Sequence, residues 1–408
     1  MRNSRRTTTC RRFTTRSANH GLLRIFRIAR ISWTIGVRLH RASLLLGLLW
    51  LAGPAAVAQL RLIPAESAPQ RYLAAVAARC HLPGLQLART DSAGRTTLLQ
   101  LGRLAADEPA LVDEHSVFQV ASLSKPVFAY LVLRLVDRGV LDLDAPLSRY
   151  GLPHRHPRNQ QVAARITARM VLRHTSGLAH WAEFGGSKIT RWNQGVLQLK
   201  YPPDSLWHYS GEAYAYLQQV VEHVTGRGLQ QLAEAEVFGP LGMVDSSFGW
   251  DERFAGRLCS GHDSTGAPTL RRKFREPSAA FSLISTAADY SRFVQALARG
   301  TGLLPATHQL LLTASGPAVR CGRRGSAAEQ HISWGLGVGL QQGRRGPALW
   351  HWGDNVDFQN FFLVFPDTGE SLVLLSNGAN GLRAARQLLP LLLDPNEHYW
   401  ALDWLQEQ

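Results

Sequence analysis

Strand-forming segments sit at the two ends of this chain and helical periodicity fills its middle, and that distribution restricts the fold more than any other feature. Residues 70–79 have the spacing of a helix, and residues 85–89 and 96–101, separated by Asp91-Ser92-Ala93-Gly94, read as a hairpin. Residues 141–270 then carry helical periodicity and loops. They include an amphipathic helix whose Ala213, Leu217, Val220, Val221 and Val224 share a face and which stops at Gly226. Thr286-Ala287-Ala288-Asp289 has a capping-box pattern, and Tyr290, Phe293, Val294, Leu297 and Ala298 follow it at helical spacing. Apolar strand signals return at 334–340, 348–352, 358–365 and 371–375, the last two joined by Pro-Asp-Thr-Gly, before a closing helix at 382–393. Strands so far apart in sequence bury their apolar faces only by combining into one antiparallel sheet with helices against it, while the middle forms a second lobe. The expected fold is therefore α/β (α+β). Residues 59–140 and 281–408 would make the sheet lobe, 141–280 the helical lobe, with the functional cleft between them.

The chain has 408 residues and a formal charge of +15, which first suggests an anionic partner. The charge is unevenly placed. Residues 1–58 hold 11 of the 45 basic residues and no acidic one, leaving 34 basic against 30 acidic residues, a net of +4, in the remainder. No basic stripe with interleaved aromatics occurs there, so nucleic acid is not an expected partner. The arginine-rich front runs into the apolar stretch 42–58, rich in leucine and ending in Ala56-Val57-Ala58. A basic flank, a short apolar core and small residues before Gln59 read as a Sec signal peptide cleaved between Ala58 and Gln59. The expected location is periplasmic or secreted, without stable membrane insertion after cleavage; the competing reading, an uncleaved anchor, calls for a run of about 20 apolar residues. A start at Val37 would give a signal of ordinary length. Cys10, Cys80, Cys259 and Cys321 are too few for a disulfide framework, and no His/Cys spacing suits a metal, His154-Arg155-His156 included. Neither a metal nor a cofactor is expected, and the oligomeric state is left open.

The sharpest chemical signal is Phe118-Gln119-Val120-Ala121-Ser122-Leu123-Ser124-Lys125-Pro126, an extended apolar segment turning into a helix that carries Val127, Tyr130, Leu131, Leu135 and Val136. Three residues apart at a helix start, Ser122 and Lys125 share a face, so the amine reaches the hydroxyl. A serine hydroxyl needs a base beside it, and burial together with the positive end of the helix dipole pushes a lysine toward its neutral, basic form. The helix-start N–H groups also suit an oxyanion. An N-cap serine followed by a surface lysine would give the same four letters, so the context decides.

With Leu172-Arg173-His174-Thr175-Ser176-Gly177-Leu178, Tyr209-Ser210-Gly211, Pro240-Leu241-Gly242-Met243, Ser285-Thr286-Ala287-Ala288-Asp289 and His351-Trp352-Gly353 before a strand, residues 75–380 resemble the serine β-lactamase and DD-peptidase superfamily. The resemblance is to its branch of β-lactamase-related hydrolases and esterases. It implies a β-lactamase/transpeptidase-like fold, with Ser122 as acylated nucleophile, Lys125 as its partner in proton transfer and Tyr209 as the tyrosine of the family's Tyr-x-Asn motif. It also implies that His351, Gly353 and Asp354 form the strand edge beside the substrate, the N–H of Asp354 joining that of Ser122 in an oxyanion hole.

Two departures bear on substrate. Gly211 stands where the better-known enzymes have asparagine, and His351 replaces the lysine of Lys-Thr-Gly; both weaken the case for efficient β-lactam hydrolysis. His174-Thr175-Ser176-Gly177 is expected to be a structural turn, and Gly335-Leu336-Gly337-Val338-Gly339 strand packing in place of a phosphate loop, because no helix follows it. A Gly-x-Ser-x-Gly elbow is absent. The expected activity is that of an exported hydrolase forming an acyl-enzyme on a small-molecule or peptidoglycan-derived substrate: a β-lactam, a D-Ala peptide or an ester. The alternative is a penicillin-binding sensor or structural protein that does not turn over.

Overall fold

In chain order the strands are β1 Arg61–Leu62, β2 Gly84–Thr90, β3 Thr96–Gly102, β4 Phe118–Gln119, β5 Ile284–Ser285, β6 Ile332–Trp334, β7 Gly339–Gly343, β8 Gly346–Asp354, β9 Gln359–Val364 and β10 Ser371–Ser376. This computed structural model describes residues 61–62, 68–151, 160–181, 197–316, 318 and 326–406. The leader and signal segment 1–58, His154-Arg155-His156, Cys10 and Cys321 lie outside the described residues. Eight strands make one sheet in the order β1-β3-β2-β10-β9-β8-β7-β6, and β4 pairs with β5 alone. Every neighbour in the large sheet is antiparallel except β1 beside β3. The seam between the two ends of the chain is β2 against β10, with Leu87 opposite Leu374 and Thr90 opposite Ser371. This is the union of distant strands that the sequence pattern requires.

The sheet is covered on both faces, so its central strands are apolar at successive positions. Phe361, Leu363, Leu372 and Leu374 turn to one side, where Leu73, Val76, Leu388 and Trp404 from helices Ala68–Arg79, Gly381–Leu392 and Trp400–Gln406 pack on them. Phe362, Val364, Val373 and Leu375, one residue out of phase, turn to the other side, toward Leu123, Val127 and Phe293. Helix Ser124–Asp137 lies in that second core and is buried nearly all round, as a helix apolar on every face must be. The expected caps are present. Thr286 Oγ1 accepts from Asp289 N at 3.2 Å to start helix Ala287–Arg299, and Gly226, at φ +65°, ends helix Gly211–Thr225.

The strand expected at 334–340 is two strands. Gly335 N donates to Val338 O at 2.9 Å, turning the chain between β6 and β7, and Gly337 has φ +89°. A Cβ on Gly337 would fall 2.2 Å from Ala129 Cβ, so the turn rests directly on helix Ser124–Asp137. Among the described residues no helix is long and apolar enough to cross a membrane, and no group of three His, Cys, Asp or Glu side chains is gathered as for a metal.

Candidate active site

Between Ser116 and Leu133 one residue alone is not buried, and it is Ser122. It sits in a 3-10 turn, Ala121–Leu123, directly ahead of helix Ser124–Asp137. The turn is pinned on several sides. Val120 N donates to Leu283 O at 2.9 Å, Leu283 N donates to Ser124 Oγ at 3.0 Å, Asn360 Nδ2 donates to Gln119 O at 3.0 Å and Tyr290 Oη donates to Leu123 O at 2.9 Å. Ala121 is held at φ +54°, a conformation that costs a non-glycine residue energy and persists where its surroundings enforce it.

Lys125 is wholly buried behind the serine. Its Nζ lies 3.1 Å from Ser122 Oγ and donates to Ala280 O at 2.7 Å. Burial drives its pKa well below the ordinary lysine value. A neutral amine has two hydrogens and one lone pair, so with a hydrogen committed to Ala280 the lone pair is free to take the Ser122 proton along the same 3.1 Å line. The ring of Tyr209 lies 4.7 Å from Nζ, and that of Tyr214 5.8 Å.

Tyr209 comes from the segment before helix Gly211–Thr225, whose N-cap is Ser210: its Oγ accepts from Ala213 N at 2.9 Å and donates to Ala179 O at 2.7 Å. The phenol oxygen is out of contact with solvent and has no hydrogen-bond partner of good geometry, although the Ser122 hydroxyl beside it acts to lower its pKa. Burial outweighs that effect and pushes the pKa up, with the Asp354 carboxylate adding to the rise. Tyr209 is therefore a protonated phenol. His174, expected to be only part of a turn, packs its ring against Tyr209 with centroids 4.4 Å apart.

His351 is fully buried in strand β8. Its Nδ1–H donates to Trp352 O at 2.7 Å, its ring stacks on Trp352, and burial takes its pKa down to about 3. It is a neutral member of an aromatic wall that also holds Tyr209, Trp334 and Trp352. Gly353 brings β8 against the nucleophile turn: a Cβ there would lie 2.2 Å from Val120 O and 3.3 Å from Ala121 Cβ. Asp354 closes the strand, its carboxylate accepting from Val356 N at 2.7 Å and Gln359 Nε2 at 3.1 Å. Thus Ser122, Lys125 and Tyr209 are brought together, with the β8 end alongside. The Ala280 carbonyl, which orients Lys125, is a contact that no side-chain pattern reveals.

A sequence profile of the Beta-lactamase family matches residues 69–396. Esterase EstB of Burkholderia gladioli is 33% identical over 237 residues, which cover 48% of this chain and 60% of that protein. Penicillin-binding protein 4 of Amycolatopsis lactamdurans is 29% identical over 315 residues, covering 73% of this chain and 81% of that protein. A crystal structure of a beta-lactamase/D-alanine carboxypeptidase from Pseudomonas syringae superposes with a TM-score of 0.68 at 16% identity, over 81% of this chain and 98% of the other, a likeness of fold. The antiparallel sheet between helices is thus the β-lactamase fold, and the chain belongs to the beta-lactamase family.

Proposed function

We propose that this chain is an exported serine hydrolase that cleaves amide or ester bonds through an acyl-enzyme on Ser122. The observation that carries the reading is the Lys125 amine, wholly buried and with its pKa driven well down by that burial, 3.1 Å from the Ser122 hydroxyl. As Ser122 Oγ bonds to the substrate carbonyl carbon, its proton passes to Lys125 Nζ. The N–H groups of Ser122 and Asp354 take the resulting oxyanion. Collapse breaks the bond to the leaving amine or alcohol, which takes its proton from Lys125 directly or through the protonated Tyr209 hydroxyl. Water then repeats the sequence on the ester of Ser122, releasing the acid. The names of the relatives, an esterase and a penicillin-binding protein, agree with a small-molecule or peptidoglycan-derived substrate.

The test is covalent labelling by a fluorophosphonate alongside hydrolysis of nitrocefin, short-chain p-nitrophenyl esters and D-Ala-D-Ala peptides. Wild-type protein is expected to label and to turn over at least one of them, and Ser122→Ala to do neither. Labelling of Ser122→Ala at the wild-type rate would overturn the assignment of nucleophile. Export rests on the apolar run 42–58, and N-terminal sequencing of the protein recovered outside the cytoplasm is expected to begin at Gln59.

A further inference from the structure

Gly211 is the third residue of the Tyr209-Ser210-Gly211 run, and the space a side chain there would take is already filled. A Cβ on Gly211 would lie 2.6 Å from Cη2 and Cζ2 of Trp181 and 3.0 Å from Cζ3. Carbon atoms pack best at about 3.5–4.0 Å, so any side chain at 211 must displace the indole. The chain carrying that indole is fastened to the helix start: the His180 carbonyl accepts from Gly211 N and Glu212 N, both at 3.0 Å, and Ser210 Oγ binds Ala179 O. Trp181 meets Phe281 edge-on at 5.7 Å, and Phe281 follows Ala280, the residue whose carbonyl receives Lys125. A run of rings therefore leads from Trp181, which meets Phe281, through His180 to Tyr209, 5.3 Å from His180, and on to Trp352, 5.0 Å from Tyr209.

Asp354 lies two residues beyond Trp352 on the same face of β8, next to the glycine that touches the nucleophile turn, and it reaches solvent. Its carboxylate is fixed by a strained turn. Val356, which donates to it, is β-branched and sits at φ +75°. Of the basic side chains around the serine and β8, burial lowers the pKa of Lys125, His174, His180 and His351, the last two to about 3, and Arg272 is paired with Asp357 at 3.2 Å, so they offer a carboxylate little counter-charge.

We propose that Trp181 and Asp354 make this a site for esters with uncharged, apolar acyl groups and turn away substrates bearing a carboxylate. The inference rests on Ser122 being the acylated nucleophile. Trp181 supplies apolar surface where the asparagine of the family's motif would place a side-chain amide, and a substrate amide buried against that surface is left without a hydrogen-bond partner. A simple acyl ester has no such donor to strand. Asp354 acts by charge, raising the energy of any second anion at the mouth of the site.

The experiment compares kcat/KM of the purified protein for p-nitrophenyl butyrate and for p-nitrophenyl hemisuccinate, its carboxylate-bearing counterpart, each divided by its alkaline hydrolysis rate. The neutral ester is expected to be favoured by ~10-fold or more, and Asp354→Asn to cut that preference by ~10-fold. Trp181→Ala is expected to lower kcat/KM for the phenylacetate ester ~10-fold more than for the acetate ester, through loss of apolar contact. If either variant fails to fold, the wild-type preference is measured again in about 0.5 M salt, where screening must shrink it. Preference for the hemisuccinate, or a preference that neither Asp354→Asn nor salt alters, would overturn the proposal. Fluorophosphonate labelling in each arm separates the two readings, because a protein that labels at Ser122 yet shows no charge preference contradicts this inference alone.

Discussion

The imidazole of His174 lies against the phenol of Tyr209, centroids 4.4 Å apart and planes 31° apart, and the same residue holds the chain on both sides of that tyrosine. His208 N donates to His174 O at 2.7 Å, and Ser210 N donates to His174 Nδ1 at 3.1 Å. Accepting at Nδ1 fixes the tautomer, so the hydrogen sits on Nε2. The left-handed backbone of His174, φ +57°, aims both acceptors at one strand of chain.

His174→Ala removes a ring and one of those acceptors at once. It is expected to lower stability by about 2–4 kcal/mol, through a cavity and a stranded N–H. It should also lower kcat by ~10–100-fold while KM moves less, because a displaced Tyr209 impairs proton transfer more than binding. His174→Asn tolerates the left-handed backbone and offers an amide oxygen to Ser210 N, so part of kcat should return. Thermal unfolding with steady-state kinetics checks this; a destabilised His174→Ala with wild-type kcat would show that the ring serves packing alone.

Acid should destabilise the fold through buried imidazoles, His174 and His351 at the site and His262 away from it. His174 and His351 are both fully buried, with pKa values held below the ordinary 6.5 by burial, His351 at about 3. Below 6.5 the unfolded chain binds protons that the folded chain refuses, so stability present above that pH is lost as pH falls toward the folded values. The loss is about 1.4 kcal/mol per pH unit for each histidine. Urea unfolding at about pH 7 and about pH 5 measures it, and His351→Gln is expected to flatten the slope relative to wild type. An unchanged slope in that variant would mean that His351 does not stay neutral on folding.

Gly353 tests how closely β8 must approach the serine. An alanine methyl would meet Val120 O at 2.2 Å, and a backbone atom cannot swing aside as a side chain does. Gly353→Ala is expected to cost about 1–3 kcal/mol and to reduce the rate of fluorophosphonate labelling, since strand and nucleophile turn must part. Gly228→Ala, with open space around its Cβ and φ −70°, serves as the neutral comparison. Equal stability and labelling in the two variants would mean that β8 yields without consequence.

Much of this architecture is legible before folding, because it follows from local rules. Thr286 has a cap's hydroxyl, Gly226 has the freedom to end a helix, and the alternating faces of β9 and β10 follow from a period of two. Ser122 and Lys125 are legible for the same reason: three residues on a helix start bring them together whatever the rest of the chain does. What escapes is long-range. Ala280 acts through its carbonyl, which every residue has. Trp181 matters because its ring fills the place of an absent side chain 30 residues away, and the loss of a group at Gly211 does not say what replaces it. The run 334–340 reads as one strand because Leu336 and Val338 are apolar; they are buried in a turn pressed onto helix Ser124–Asp137, a tertiary contact that overrides the local pattern.

The proton path itself is tested by separating Lys125 from Tyr209. Lys125 is buried and its pKa lies well below the ordinary lysine value, so it remains a base as pH falls and is lost only when it gains a proton. Acylation should therefore decline on the acid side, at a pH well below the one at which a lysine of ordinary pKa would already be protonated. Lys125→Ala and Tyr209→Phe are each expected to slow acylation by ~10²–10⁴-fold, the usual loss of general acid–base help. Lys125→Arg should be no better, since a guanidinium does not give up its proton. KM should change less than kcat in all three, because the apolar walls remain. The double variant Lys125→Ala/Tyr209→Phe should be little worse than the poorer single one, as groups that move one proton between them do not act additively. Pre-steady-state labelling rates, with circular dichroism to confirm folding, provide the measurement. Strictly multiplicative losses in the double variant would mean that Lys125 and Tyr209 serve separate steps, and the transfer of one proton between them would have to be abandoned.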